Sequence, residues 1–170
     1  TQQHIEWLRQ VPFDHYRVEC FFESNWEANL DLALEEAQQI GCKLELVFIL
    51  NEHLEAQWPV LARILAKTDL LGSVLLVGPR GQVAPQDLLD VWIPHFKNAF
   101  PTLPIGAGTD AFFAELNRNR PTDPQLDFVA FPVCPQVHLS DDQALVENLE
   151  AQQYTLETAR HFTTKPIHIT

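Results

Sequence analysis

The sequence predicts an α/β fold of the (β/α)8 TIM-barrel type, incomplete in this chain, with about six parallel strands and helices between them. Three observations carry that expectation. Short runs rich in β-branched and aromatic residues alternate with segments of helical apolar spacing. One strand and one helix recur about every 30 residues, the length of a right-handed βαβ unit. Two of the strands are charged on alternate positions, which suits a barrel with a polar interior better than a doubly wound sheet buried on both faces.

In chain order, residues 2–11 set Ile5, Leu8 and Val11 on one side and read as a helix ahead of the first strand, 16–22. Leu30, Ala33, Leu34, Ala37 and Ile40 mark the next helix, which Gly41 stops before a strand at 44–50. Leu54, Trp58, Leu61 and Leu65 form a second face, followed by a strand at 73–78. Leu88, Leu89, Trp92, Ile93 and Phe96 form a third, in which Pro94 is expected to kink or interrupt the helix. The Pro-rich stretch 98–104 leads into a strand at 104–108. Residues 109–125 read as a long functional loop with room for a short helical turn, before a strand at 127–133. Leu145, Leu149, Gln152, Leu156 and Ala159 line a longer helix, and 166–170 is a sixth strand.

Period-2 alternation separates Val18, Cys20 and Phe22 from Arg17, Glu19 and Phe21, and sets Glu45 apart from Leu44 and Leu46. If the apolar set faces the helices, Arg17, Glu19 and Glu45 point into the barrel, where Arg17 is expected to neutralise the carboxylates. A full barrel takes roughly 250 residues. Residues 1–170 are therefore expected to be a single partial barrel domain lacking the first strand and the last strand or two, with self-association through open sheet edges or pairing with the missing remainder.

Eleven Lys and Arg against 23 Asp and Glu give a net charge of −12, a field that repels phosphate backbones and anionic lipid, so neither nucleic acid nor membrane is an expected partner. Cys20, Cys42 and Cys134 form no C-x-x-C pair and are odd in number, which argues against a disulfide framework or zinc ribbon and for a reducing cytoplasm. No Met is present, and the chain reads as cut from something longer. No His-x-His or His-x-x-Glu spacing points to metal, so no cofactor is expected.

Parallel (β/α) folds carry reactive groups in the loops that follow the strands. That rule selects Glu23, Ser24 and Asn25; Asn51 and Glu52; Arg80 and Gln82; Asp110, Glu115, Asn117 and Arg118; Gln136 and His138; and His168 and Thr170. The densest group follows 105–110, where Gly106 and Gly108 permit a tight turn or close approach to a ligand. The run lacks the G-x-G-x-x-G spacing of a dinucleotide site and the Lys of a P-loop.

Three runs, GTDAFFAELNRNRP (108–121), LDFVAFPVCPQVH (126–138) and LVENLEAQ (145–152), resemble the barrel domain of the D-apionate lactonases and cover about a fifth of the chain. The resemblance implies hydrolysis of a sugar lactone, D-apionolactone to D-apionate, in apiose catabolism. Such chemistry needs a base for water, donors for the oxyanion and a proton for the leaving alkoxide. Asp110 and Glu115 are candidates for the base and His138 completes the catalytic set, with Asn117, Arg118, Gln136 and Glu19 toward substrate.

Each residue has a plainer reading. Asp110 would cap a helix starting near Ala111, Glu115 and Arg118 would form an i, i+3 ion pair, and Asn117 would hold an Asx turn. Glu19 and Glu45 would pair with Arg17 in the barrel. Two other functions compete: a glycoside hydrolase, disfavoured because the strand at 73–78 leads into Gly78-Pro-Arg-Gly81 without a carboxylate, and a non-catalytic sugar-binding barrel.

Overall fold

A computed structural model describes residues 2–12, 14–22, 25–134, 136 and 141–170, with backbone alone at residues 2 and 3. Among these residues six strands, β1 (His15–Cys20), β2 (Lys43–Ile49), β3 (Leu71–Val77), β4 (Ile105–Gly108), β5 (Phe128–Phe131) and β6 (Ile167–Ile169), lie side by side in sequence order, every adjacent pair parallel. Between and before them run α1 (Gln2–Leu8), α2 (Trp26–Ile40), α3 (Glu52–Leu65), α4 (Gln86–Ala99), α5 (Phe113–Arg118) and α6 (Asp142–Arg160).

The sheet is rolled into a barrel wall. Four strand spacings would hold β2 and β6 about 19 Å apart in a flat sheet, yet Glu45 on β2 and His168 on β6 meet at 2.5 Å. The rings of His15 on β1 and His168 stack with centroids 5.5 Å apart, so the first and last strands also face each other across the interior.

The period of two sorts the side chains as expected. Leu44, Leu46 and Phe48 point outward into the main core, with Leu30 and Ala37 of α2, Leu54 and Leu61 of α3, and Ile93 and Phe96 of α4. Phe48 is fully buried between Phe22 and Phe96, at ring-centroid distances of 6.1 and 5.4 Å. Burying each such side chain stabilises the fold by about 1.5–3 kcal/mol. A smaller interior cluster holds Val47, Leu75, Val77, Phe128 and Ala130. Outside the wall at β5, Val129, Phe131, Leu116 of α5 and Ala159 of α6 form a third cluster.

The glycines of β4 serve the wall itself. A Cβ on Gly106 would come within 2.3 Å of the Phe128 ring, and one on Gly108 within 2.0 Å of the Ala130 carbonyl oxygen. Close approach is therefore required by the neighbouring strand, where the sequence suggested a ligand.

Two helices depart from expectation. α4 runs through Pro94 without interruption, as α3 does through Pro59. Buried Ile93 and Phe96 anchor α4 on both sides of the proline, and the His95 ring nitrogen bonds the Val91 carbonyl at 2.8 Å. On α6 the predicted face holds at Ala159 but fails at Leu149, which is 50% exposed. The inward row begins instead at Ala144, capped by the Asp141 carboxylate.

Candidate active site

Three separate elements bring charged side chains to the C-terminal rim of the barrel. β1 supplies Glu19, the turn after β3 supplies Arg80, and Asp110 stands just past β4. They line a hollow of about 210 Å³ floored by Val47, Ile49 and Val77. A neighbouring hollow of about 300 Å³ shares Cys20, Phe21 and Ile49 with it and adds Asn51 and His53. Asn51 caps α3, its side-chain oxygen accepting from the His53 and Leu54 amides at 3.0 and 3.1 Å, which fixes where His53 leaves the helix.

Backbone hydrogen bonds hold Asp110 in place. Its amide and that of Ala111 donate to the Gly81 carbonyl at 2.7 and 3.2 Å, and the buried Thr109 hydroxyl donates to the same oxygen at 2.6 Å. Arg80 and Gly81 both have left-handed backbone conformations, with φ of 60° and 74°. That conformation strains a non-glycine residue such as Arg80, and here it turns the segment after β3 toward Asp110.

The Arg17 guanidinium donates to the Asp110 carboxylate at 2.7 Å and lies 3.9 Å from that of Glu19. Burial pushes the Glu19 carboxyl above its usual range, and the negative charge and hydrogen bond of Asp110 push it the same way, with Arg17 opposing. The rim thus holds two carboxyl groups that share the Arg17 guanidinium. Glu19 therefore binds a proton more readily than an isolated carboxylate.

The other predicted residues are placed as follows. α5 begins at Phe113 with no side-chain cap, so Asp110 is free of a capping role and belongs to Arg17. Glu115 accepts from Asn119 at 3.0 Å, and no ion pair with Arg118 forms among the described residues. The Asn117 side chain accepts from Arg120 at 2.8 Å, while Arg118 is exposed at the end of the same short helix. Gln136 is exposed in a turn, and His138, like Glu23 and Ser24, lies outside the described residues. Of the predicted set, Asp110 and Glu19 share a hollow.

Within the barrel, the expected pairing of Arg17 with both glutamates is half realised. Glu45 is fully buried but its partners are His168 at 2.5 Å, the Ser73 hydroxyl at 3.0 Å and His15 at 3.5 Å. Burial pushes its carboxyl up, but the hydrogen bond from His168 and the histidine charges outweigh that and leave it below the usual range. Arg17 is drawn toward Asp110 instead, because the curved wall brings the rim at β4 within its reach. No spacing along the chain groups His15, Glu45 and His168, which come from three strands.

A family model described as D-apionate lactonase, TIM barrel domain, matches residues 1–170. A curated D-apionate lactonase of Brucella anthropi is 35% identical over 64 residues, 38% of this chain and 10% of that protein's length. No solved structure matches. Among the described residues no helix is long and apolar enough to cross a membrane.

Proposed function

The chain belongs to the D-apionate lactonase TIM-barrel domain family, and on that premise we propose that it carries the hydrolytic rim of an enzyme that opens D-apionolactone to D-apionate. The observation that supports this most directly is the Asp110–Glu19 carboxyl pair, held by Arg17 on the wall of a hollow at the strand ends.

In this reading the pair is the base. Water adds to the lactone carbonyl as its proton passes to the Asp110–Glu19 pair, and the raised affinity of Glu19 for a proton makes the pair a better acceptor than an ordinary carboxylate. Arg80 lines the same hollow, and its guanidinium is the group assigned to stabilise the oxyanion of the tetrahedral intermediate. The ring C–O bond then breaks, and the shared proton moves to the departing alkoxide. The product is a hydroxy acid, which ionises and acidifies the medium. Arg17 positions Asp110 and restrains the pair from holding its proton too tightly.

The competing glycosidase reading needs two carboxyl groups about 5–9 Å apart across a sugar ring. Beyond β3 the chain runs into Gly78-Pro-Arg-Gly81, which offers no carboxylate for such a pair. The test is a pH-stat assay of the purified full-length protein on D-apionolactone. Acid release faster than in buffer alone is expected. No release, together with cleavage of an aryl glycoside, would overturn the lactonase reading.

A further inference from the structure

We propose that His15, Glu45 and His168 form a binding site for a divalent transition-metal ion of the Zn2+ class inside the barrel. The proposal is independent of the lactonase reading. One ligand atom from each residue can be chosen so that all lie within 4.8 Å of one another. Two imidazoles and a carboxylate are a ligand set that suits such an ion. In a tetrahedral Zn2+ site, bonds of about 2.0–2.2 Å put neighbouring ligand atoms roughly 3.3 Å apart. His15 Nε2 and Glu45 Oε1 already stand 3.5 Å apart.

A second observation points to a missing partner. Glu45 is fully buried, and its Oε1 is a buried atom with no hydrogen-bond partner among the described residues. A solvent-excluded carboxylate oxygen without a hydrogen bond is costly, and a cation between Oε1 and the His15 ring, 3.5 Å away, would satisfy it.

The surroundings orient the ligands. The His168 ring stacks on Phe128 at 3.9 Å with an interplanar angle of 16°, and the Ser73 hydroxyl holds the other oxygen of Glu45 at 3.0 Å. Partners of this kind set the direction of metal ligands. The site is also set apart from the rim: His15 precedes Glu19 on β1 by four residues, about 13 Å of extended strand. An ion there would tie β1 and β2 to β6, the strand at the opposite end of the sheet order. We assign it a structural role.

The experiment strips purified full-length protein with a chelator, re-equilibrates it with Zn2+, desalts it and measures zinc by mass spectrometry. Wild type should retain one Zn2+ per chain more than His168→Gln or His15→Gln, and Zn2+ should raise the Tm of wild type but of neither variant. His15 lies at the partly exposed start of β1, so its replacement spares the core if His168→Gln fails to fold. Wild type that retains no zinc, or a folded His15→Gln variant that retains as much as wild type, overturns the proposal.

Discussion

Arg17 and Asp110 form a 2.7 Å ion pair although 93 residues separate them, one on β1 and the other just past β4. Three strand spacings would keep them about 14 Å apart in a flat sheet, so the pair exists because the wall is curved. If that pair and Glu19 are the base, Asp110→Asn should lower kcat by about 100-fold or more, with a circular dichroism spectrum like that of wild type. Wild-type turnover would remove Asp110 from the mechanism.

The pH dependence of the same pair has a defined sign. If the pair is the base, it must be without its proton, so the rate should fall as pH drops, with the acid limb above the ordinary carboxylate range because Glu19 is pushed up. Arg17 opposes that rise, so Arg17→Gln should move the limb to higher pH, and Asp110→Asn should move what activity remains to lower pH. Rate profiles of the three proteins check this, and an unmoved limb in Arg17→Gln would sink the assignment.

Glu115 is bound to Asn119 on its own helix. Glu115→Ala should therefore leave kcat near the wild-type value. A loss as large as that of Asp110→Asn would instead place Glu115 in the chemistry.

The cysteines should differ in reactivity. Burial pushes the Cys20 thiol up to about 12, while Cys134 is exposed. Thiolate is the reactive form. At neutral pH iodoacetamide should label Cys134 in the native protein and leave Cys20 unmodified until denaturant is added, as peptide mass mapping would report.

Acid should cost the fold a contribution from Asp127. Burial pushes this carboxyl up, but Lys97 at 2.5 Å and the Ile105 amide at 2.8 Å outweigh it and leave it below the usual value. A depressed folded-state value stabilises above the unfolded pKa, and the contribution disappears as pH falls through the folded one. Urea melts of wild type and Asp127→Asn should differ at pH 7 and converge in strong acid. A gap that persists in acid would mean that the loss is one of packing.

Gly108→Ala should be destabilising by at least the 1–3 kcal/mol typical of an overpacked core, about that range or more. Its Cβ would meet the Ala130 carbonyl oxygen, backbone that cannot swing aside. An unchanged urea midpoint would show that β4 and β5 can part without cost.

By itself the sequence determined the elements, their alternation and which face of each strand meets the helices. Those features depend on periods of 2 and 3.6 residues, a local property that survives without a fold. It also placed Asp110 just past a strand end, since position along a strand fixes the rim; Glu19, read as an inward residue in the middle of a strand, stands one residue before the end of β1. It did not determine partners. Arg17 was expected beside Glu45, its in-register neighbour, and found Asp110; Glu45 found two histidines, one of them 123 residues away. Only the closing of the wall decided those contacts, because curvature brings distant strands within a side chain's reach and no spacing along the chain encodes that distance.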